Sequence, residues 1–196
     1  HYLLVRALDK AGIAWADIQP VYLAPADARA AFERKSVDAW AIWDPFYAAT
    51  ELSIHPRVLT NGEGLSGNNS FYLASGSLVD GHPRLIKALF DELTRADQLV
   101  QASRQEAVQL VAAFSGLDAN VVSRFIGRRP SSPTTLLGPA IVADQQRVAD
   151  AFFRLGVIPR QVRVADIVWQ PSAEEFASHA QLPPDSASAR VRATKV

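Results

Sequence analysis

The chain has 196 residues, 48% of them hydrophobic, enough for a real core in one ordinary domain or two small ones. Lysine plus arginine balances aspartate plus glutamate at 20 each, so no global field draws it to nucleic acid or an anionic membrane, and an anion would have to be held by a local site. The absence of cysteine excludes disulfides, thiolate metal sites and cysteine nucleophiles, and leaves the redox compartment open.

Leu3, Leu4, Ala7, Leu8 and Ala11 recur at helical spacing, and Gly12 is placed to end that helix. The pattern is already under way at His1, so a preceding part carrying any export signal is expected upstream. No apolar run reaches the roughly 18 residues of a membrane span, and direct membrane insertion is not expected. A short apolar run at 21–24 reads as a strand, and Pro25 opens a helix over 26–35. Residues 37–43 read as a second strand, Asp44-Pro45 opens a short helix to Leu52, and 57–60 reads as a third strand. A polar, glycine-rich loop over 61–69 leads to a fourth at 71–74. Strands alternating with helices through short loops predict a parallel sheet with helical crossovers, the doubly wound α/β arrangement.

The pattern changes near Ser75. From Pro83, the residues Leu85, Ile86, Leu89, Phe90, Leu93, Ala96 and Val100 form one long helical stripe. Shorter helices are predicted over 105–114, closed by Gly116, and over 118–126, with Asp118 as N-cap. After a loop at 131–139, Ile141, Gln145, Val148, Phe152 and Leu155 line a further helix ended by Gly156. Residues 162–169 could hold a last short strand or a turn of helix, and the alanine-, serine- and proline-rich tail over 170–196 is expected to be partly disordered.

Gly62-Glu63-Gly64-Leu65-Ser66-Gly67 matches G-x-G-x-x-G, but the following Asn69-Ser70-Phe71-Tyr72-Leu73 reads as a strand. Nucleotide binding needs those glycines to open a helix onto the pyrophosphate, so a plain loop is the better reading. His1, His55, His82 and His179 show no i, i+4 spacing, so no metal site is expected. No G-x-S-x-G elbow is present, and no catalytic residues are assigned.

The segment Val37-Asp38-Ala39-Trp40-Ala41-Ile42-Trp43-Asp44-Pro45-Phe46-Tyr47 is the most informative. Alternation puts Trp40 and Ile42 on one face, and Trp40 reads as core. Trp43 is the last residue before the turn. Ligands of open parallel sheets bind at the carboxyl ends of strands, so Trp43, Asp44 and Tyr47 stand where a solute's alkyl part would meet an aromatic wall. Asp44 is equally an N-cap, because a carboxylate repels an anion unless it organises donors. The first turn of the opening helix, with His1 and Tyr2, is a second candidate: free N–H groups there favour an anion, though both residues also fit a plain amphipathic start.

Several segments together resemble the aliphatic sulfonate-binding proteins of ABC importers, which belong to the larger group that also binds nitrate, taurine and thiamine precursors. They are His1-Tyr2-Leu3-Leu4, Ala24-Pro25-Ala26-Asp27-Ala28-Arg29-Ala30-Ala31-Phe32, Ser36-Val37-Asp38-Ala39-Trp40, Trp43-Asp44-Pro45-Phe46, Asn69-Ser70-Phe71-Tyr72-Leu73-Ala74, Gln145-Gln146-Arg147-Val148-Ala149-Asp150 and Leu155-Gly156-Val157-Ile158-Pro159. The resemblance implies a type II periplasmic binding fold, two doubly wound lobes with a hinge. Residues 1–74 would form most of the second lobe, 75–80 the hinge crossing and 81–169 the helical C-terminal part of a first lobe that is incomplete in this chain. It implies ligand contacts at His1, Tyr2, Trp43, Asp44 and Asn69, to which the strand reading adds Tyr47. It also implies a small organic sulfonate as ligand, an ABC permease as partner, a periplasmic location, a monomer when full length, and neither cofactor nor enzymatic activity. Taurine or nitrate binding, or a thiamine-precursor enzyme on the same fold, are the alternatives. Arg128-Arg129-Pro130-Ser131-Ser132-Pro133 departs from the family, whose members usually carry an aromatic residue and a glycine after the paired arginines.

Overall fold

The computed structural model describes residues 1–67, 69–172 and 176. Among them are eight α-helices: α1 (Tyr2–Ala11), α2 (Pro25–Glu33), α3 (Phe46–Ile54), α4 (Gly76–Gly81), α5 (Pro83–Ala102), α6 (Arg104–Ser115), α7 (Ala119–Arg128) and α8 (Pro139–Arg154). Single 3-10 turns occupy Trp15–Asp17 and Val164–Ile167. The expected disorder of the tail beyond residue 176 lies outside the described residues.

Local signals set most helix boundaries. Gly12 (φ 70°) and Gly116 (φ 71°) close α1 and α6 in the left-handed conformation that glycine adopts without strain. Proline occupies the first turn of α2, α5 and α8, where its missing N–H costs nothing. The Asp118 carboxylate accepts from Asn120 N at 2.7 Å and caps α7 as expected. The expected crossing at 75–80 carries α4, whose first turn is capped by Ser75 Oγ accepting from Leu78 N at 3.3 Å.

No strand ladder forms among the described residues, which corrects the four expected strands at 21–24, 37–43, 57–60 and 71–74. Residues 162–169 resolve as a 3-10 turn and not as a strand. A strand exists only when a neighbour in register accepts and donates along its length, and propensity cannot supply that neighbour. These segments run without such pairing, and their apolar side chains stay open: Tyr22 is 70% exposed, Leu59 68% and Leu73 92%.

The densest packing is at α5–α7. Ala107, Val122 and Ile126 are buried there, with Val100, Val108, Val111 and Phe125 around them. Arg104 reinforces this cluster by donating to the Ile126 carbonyl at 2.7 Å and the Gly127 carbonyl at 3.1 Å, satisfying the open C-terminal end of α7. Along α5, Ile86 is buried while Leu85 and Leu89 remain about half exposed, so the helix covers only part of its stripe. Trp40 is half-buried against Phe32, 6.0 Å between ring centroids.

Two other contacts position the site. α8 lies against α1, and Gln146 on α8 fixes the chain beyond it. The Gln146 amide donates to the Val162 carbonyl at 2.8 Å, and its oxygen accepts from Val164 N at 2.8 Å. α3 meets α7 through charged side chains.

Candidate functional site

The six residues expected at the site separate into two places. At the start of α1, the His1 ring stacks on Trp15 (5.1 Å, 17°) and lies tilted against Phe152 of α8 (5.0 Å) and Tyr22 (5.6 Å). Tyr2 meets the same Phe152 edge-on at 6.4 Å and also lines a cavity of about 580 Å³. His1 therefore anchors the helix start in an aromatic cluster, and Tyr2 faces the open space beside it.

Three elements wall that cavity. Helix α1 gives Tyr2 and, one turn later on the same face, Arg6. The glycine-rich loop gives Gly64 to Gly67 and then Asn69. Helix α8 gives Asp144, Gln145, Arg147 and Val148. The loop folds back on itself, with Leu65 N and Ser66 N donating to the Gly62 carbonyl at 3.1 and 3.0 Å and Gly64 at φ 69°. A Cβ on Gly67 would lie 3.0 Å from Asn69 Nδ2 and 3.3 Å from Asp144 Oδ2, so glycine permits this loop to close against α8. Among the described residues 69–74 no helix begins, so the loop lacks the helix N-terminus that a pyrophosphate would need.

Two guanidinium groups against one carboxylate give the lining a positive excess. Asp144 pairs with Arg147 through Oδ1, and Arg6 pairs loosely with Asp9 at 3.5 Å. Both arginines are partly exposed, 43% and 64% by side chain, so a solute entering from outside would meet them in competition with Asp9 and Asp144. A smaller groove of about 230 Å³ continues between α1 and α8, where Arg154 joins Arg6 and Arg147.

Trp43, Asp44 and Tyr47 stand at the second place, the start of α3. Trp43 is 63% exposed and meets Phe46 edge-on at 6.2 Å. Asp44 uses both oxygens: Oδ1 accepts from Ala48 N at 3.0 Å, capping α3, and Oδ2 faces Arg128 Nε of α7 at 3.4 Å. Arg128 also donates to Glu51 Oε2 at 2.6 Å, and its guanidinium carbon lies 4.5 Å from the centre of the Tyr47 ring. Burial works against the Arg128 charge, but Glu51 and Asp44 hold it protonated above the ordinary arginine range. Arg124 adds a contact to Glu51 at 3.3 Å. The carboxylate of Asp44 is thus neutralised from α7 as well as used as a cap.

In the loop that departs from the family pattern, Ser131 Oγ and Ser132 N donate to Asp97 at 2.8 and 3.1 Å. Burial pushes the Asp97 carboxyl up, but these hydrogen bonds and the nearby Arg129 outweigh it and hold the group below its usual value.

The cavity brings Tyr2 and Asn69 together, and α3 brings Trp43, Asp44 and Tyr47 together. Sequence reasoning missed Arg6, Asp144, Arg147 and Arg128. Arg6 could have been found from its position one turn after Tyr2, and Asp144 with Arg147 from their i, i+3 spacing on one helix. Arg128 carries no local signal, because its partners lie far back along the chain. Among the described residues, no three His, Asp or Glu side chains gather as a metal site, and no helix is long and apolar enough to cross a membrane.

Comparison with known proteins gives this arrangement a context. The chain is 39% identical over 175 residues to a protein of Escherichia coli (strain K12) named as an aliphatic sulfonates-binding protein, covering 89% of this chain and 55% of the relative. A Bacillus subtilis (strain 168) protein of the same name is 29% identical over 153 residues, covering 78% of this chain and 46% of the relative. The crystal structure of the periplasmic aliphatic sulphonate binding protein SsuA from Escherichia coli superposes with a TM-score of 0.83 at 37% identity, covering all of this chain and 61% of that one. The alkanesulfonate-binding protein SsuA from Xanthomonas axonopodis pv. citri, bound to MOPS, superposes at 0.78 with 40% identity, over 85% of this chain and 58% of that one. The chain thus spans roughly half the length of its curated relatives, and its helices follow the periplasmic binding protein fold. The sequence pattern of NMT1-like proteins matches residues 1–115, more than half of the chain, and the chain belongs to the NMT1-like family.

Proposed function

We propose that this chain is part of the substrate-binding component of an ABC import system, which captures an aliphatic sulfonate in the periplasm and delivers it unchanged to a membrane permease. The observation that carries this reading is the cavity where Tyr2 and Asn69 meet the guanidinium groups of Arg6 and Arg147. Those groups suit a sulfonate, whose three oxygens accept hydrogen bonds and whose charge stays negative at every physiological pH. The likeness to sulfonate-binding relatives supports the same ligand class.

In this reading Tyr2 and Asn69 belong to the anion side, with His1 anchoring the helix start beside them, and Trp43, with Asp44 and Tyr47 behind it, is the wall for the solute's alkyl end. Residues 1–74 make up most of one lobe, 75–80 the crossing, and 81–169 return to a first lobe whose opening strands lie outside this chain. The partly uncovered stripe of α5, with Leu85 and Leu89 about half exposed, supports that layout, since a sheet of the first lobe would cover it. The intact protein then works as a monomer that closes on its ligand by hinge motion.

Calorimetric titration of the intact protein with ethanesulfonate, pentanesulfonate, taurine and nitrate tests the function. Saturable binding of an alkanesulfonate is expected, with the ligand recovered unchanged by mass spectrometry; binding of none of the four would sink the assignment, and conversion of the ligand would make the protein an enzyme. The layout has its own test, because residues 1–196 alone should aggregate or swap. A monodisperse, cooperatively melting 196-residue chain would refute it.

A further inference from the structure

Gly62 opens the G-x-G-x-x-G stretch, and it is the glycine there that the fold requires least. Gly64 sits at φ 69°, and a Cβ on Gly67 would crowd Asn69 and Asp144, whereas a Cβ on Gly62 would meet only the Ser66 carbonyl oxygen, at 4.0 Å. The residue before it, Asn61, is exposed. Its Oδ1 accepts from Glu63 N at 3.0 Å, a turn that folds the side-chain amide forward over the Asn61–Gly62 peptide. No hydrogen bond among the described residues uses the Gly62 N–H. Asn61 therefore holds a carbonyl carbon, polarised by a backbone donor, beside an amide nitrogen that is neither shielded by a Cβ nor engaged elsewhere.

We propose that Asn61 is a self-modifying site, where Gly62 N attacks Asn61 Cγ and the side-chain amide becomes an acid. The new carbon–nitrogen bond closes an imide ring, the bond from Cγ to Nδ2 breaks, and that nitrogen leaves as ammonia with the proton from Gly62. The Glu63 N–H already points at the oxygen on which negative charge develops during the attack. Water then opens the imide. Cleavage between Gly62 N and Cγ gives aspartate at 61; cleavage between Gly62 N and the main-chain carbonyl carbon of residue 61 gives isoaspartate, whose backbone runs through the side-chain carbons. Either product brings a new carboxylate, and isoaspartate also lengthens the main chain by a methylene just before Gly62. The Gly62 carbonyl is the acceptor for Leu65 N and Ser66 N at 3.1 and 3.0 Å, the bonds that fold the loop into the wall of the cavity. The modification thus loosens that wall in aged protein, with no enzyme acting on it.

The test is peptide mapping by mass spectrometry of the intact protein, fresh and after incubation at mildly alkaline pH, with released ammonia measured alongside. Expected is an acid at position 61, isoaspartate in excess over aspartate, while Asn120, in the first turn of α7 and followed by Val121, keeps its amide. Gly62→Ala should slow the conversion by about tenfold, since a Cβ hinders the approach and narrows the backbone's freedom. Separated by ion exchange, the isoaspartate form should exchange its Leu65 and Ser66 amide hydrogens about fivefold faster than fresh protein, and bind ethanesulfonate more weakly. An Asn61 that keeps its amide as long as Asn120 overturns the proposal, as do aspartate as the sole product and a Gly62→Ala variant that converts equally fast. Unchanged exchange in the isoaspartate form, or equal affinity of the two forms, overturns the link to the cavity. The binding measurement rests on the sulfonate reading above; if ethanesulfonate binds neither form, that reading falls, while mapping and exchange still decide this one.

Discussion

Replacing Arg128 with alanine removes the joint between α7 and α3. Arg128 is about two-thirds buried by its side chain and makes the 2.6 Å bond to Glu51, the 3.4 Å contact to Asp44 and the cation–π contact to Tyr47. A half-buried ion pair of this geometry contributes about 1 kcal/mol, the longer Asp44 contact less, and the ring contact about 0.5 kcal/mol. Arg124 stays 3.3 Å from Glu51 and recovers part of the loss, so Arg128→Ala should destabilise by about 1.5 kcal/mol. The assay is urea unfolding of the intact protein, extended to a double-mutant cycle with Glu51→Gln, where a coupling of about 1 kcal/mol is expected. Arg128→Lys should recover under half of the loss, since an ammonium cannot serve Glu51, Asp44 and the ring together. A loss under about 0.5 kcal/mol with no coupling to Glu51 would refute the reasoning, because it would mean that α3 and α7 hold each other by packing alone.

Three further outcomes follow from other parts of the molecule. Val122 is fully buried at the centre of the α5–α7 cluster, so Val122→Ala should cost about 2 kcal/mol in chemical unfolding, and a change under about 0.5 kcal/mol would show that the cluster collapses onto the space. Gln146→Leu removes an amide that bonds both Val162 and Val164 while keeping its bulk; about 2 kcal/mol of loss is expected, and proteolysis should begin cutting near residues 160–168, whereas an unchanged cleavage pattern would mean that the segment is held otherwise. Asp97 is held below its ordinary value in the folded protein, so its contribution is present above the unfolded carboxylate range near about 4 and fades as pH falls through the folded value. Asp97→Asn should therefore flatten the acid side of the stability profile and leave its alkaline side parallel to that of the parent protein.

The helices were legible because their signals are local. Pro25 and Pro83 at helix starts, Gly12 and Gly116 at helix ends and the Asp118 cap each act within one turn, and the structure places them as read. The six-residue α4 and the turn at Trp15–Asp17 escaped because so few residues establish no period. Residues 57–60 and 71–74 have strand composition, yet a ladder depends on a neighbour that composition does not name. The same division runs through the candidate site. Tyr2 was legible from the helix start, whereas the Arg128 contacts to Asp44 and Glu51 join positions distant in sequence.

Packing is unequal across the molecule, and this decides where it will breathe. The tight cluster of α5, α6 and α7 should exchange its amide hydrogens last, while α1, the glycine-rich loop and α8 border open space and should exchange sooner. A solute held between Arg6, Asn69 and Arg147 would tie together the segments that open most readily. Part of its binding free energy would be spent on quieting them, and its arrival would be read as slowed exchange at α1 and α8 with little change at Val122.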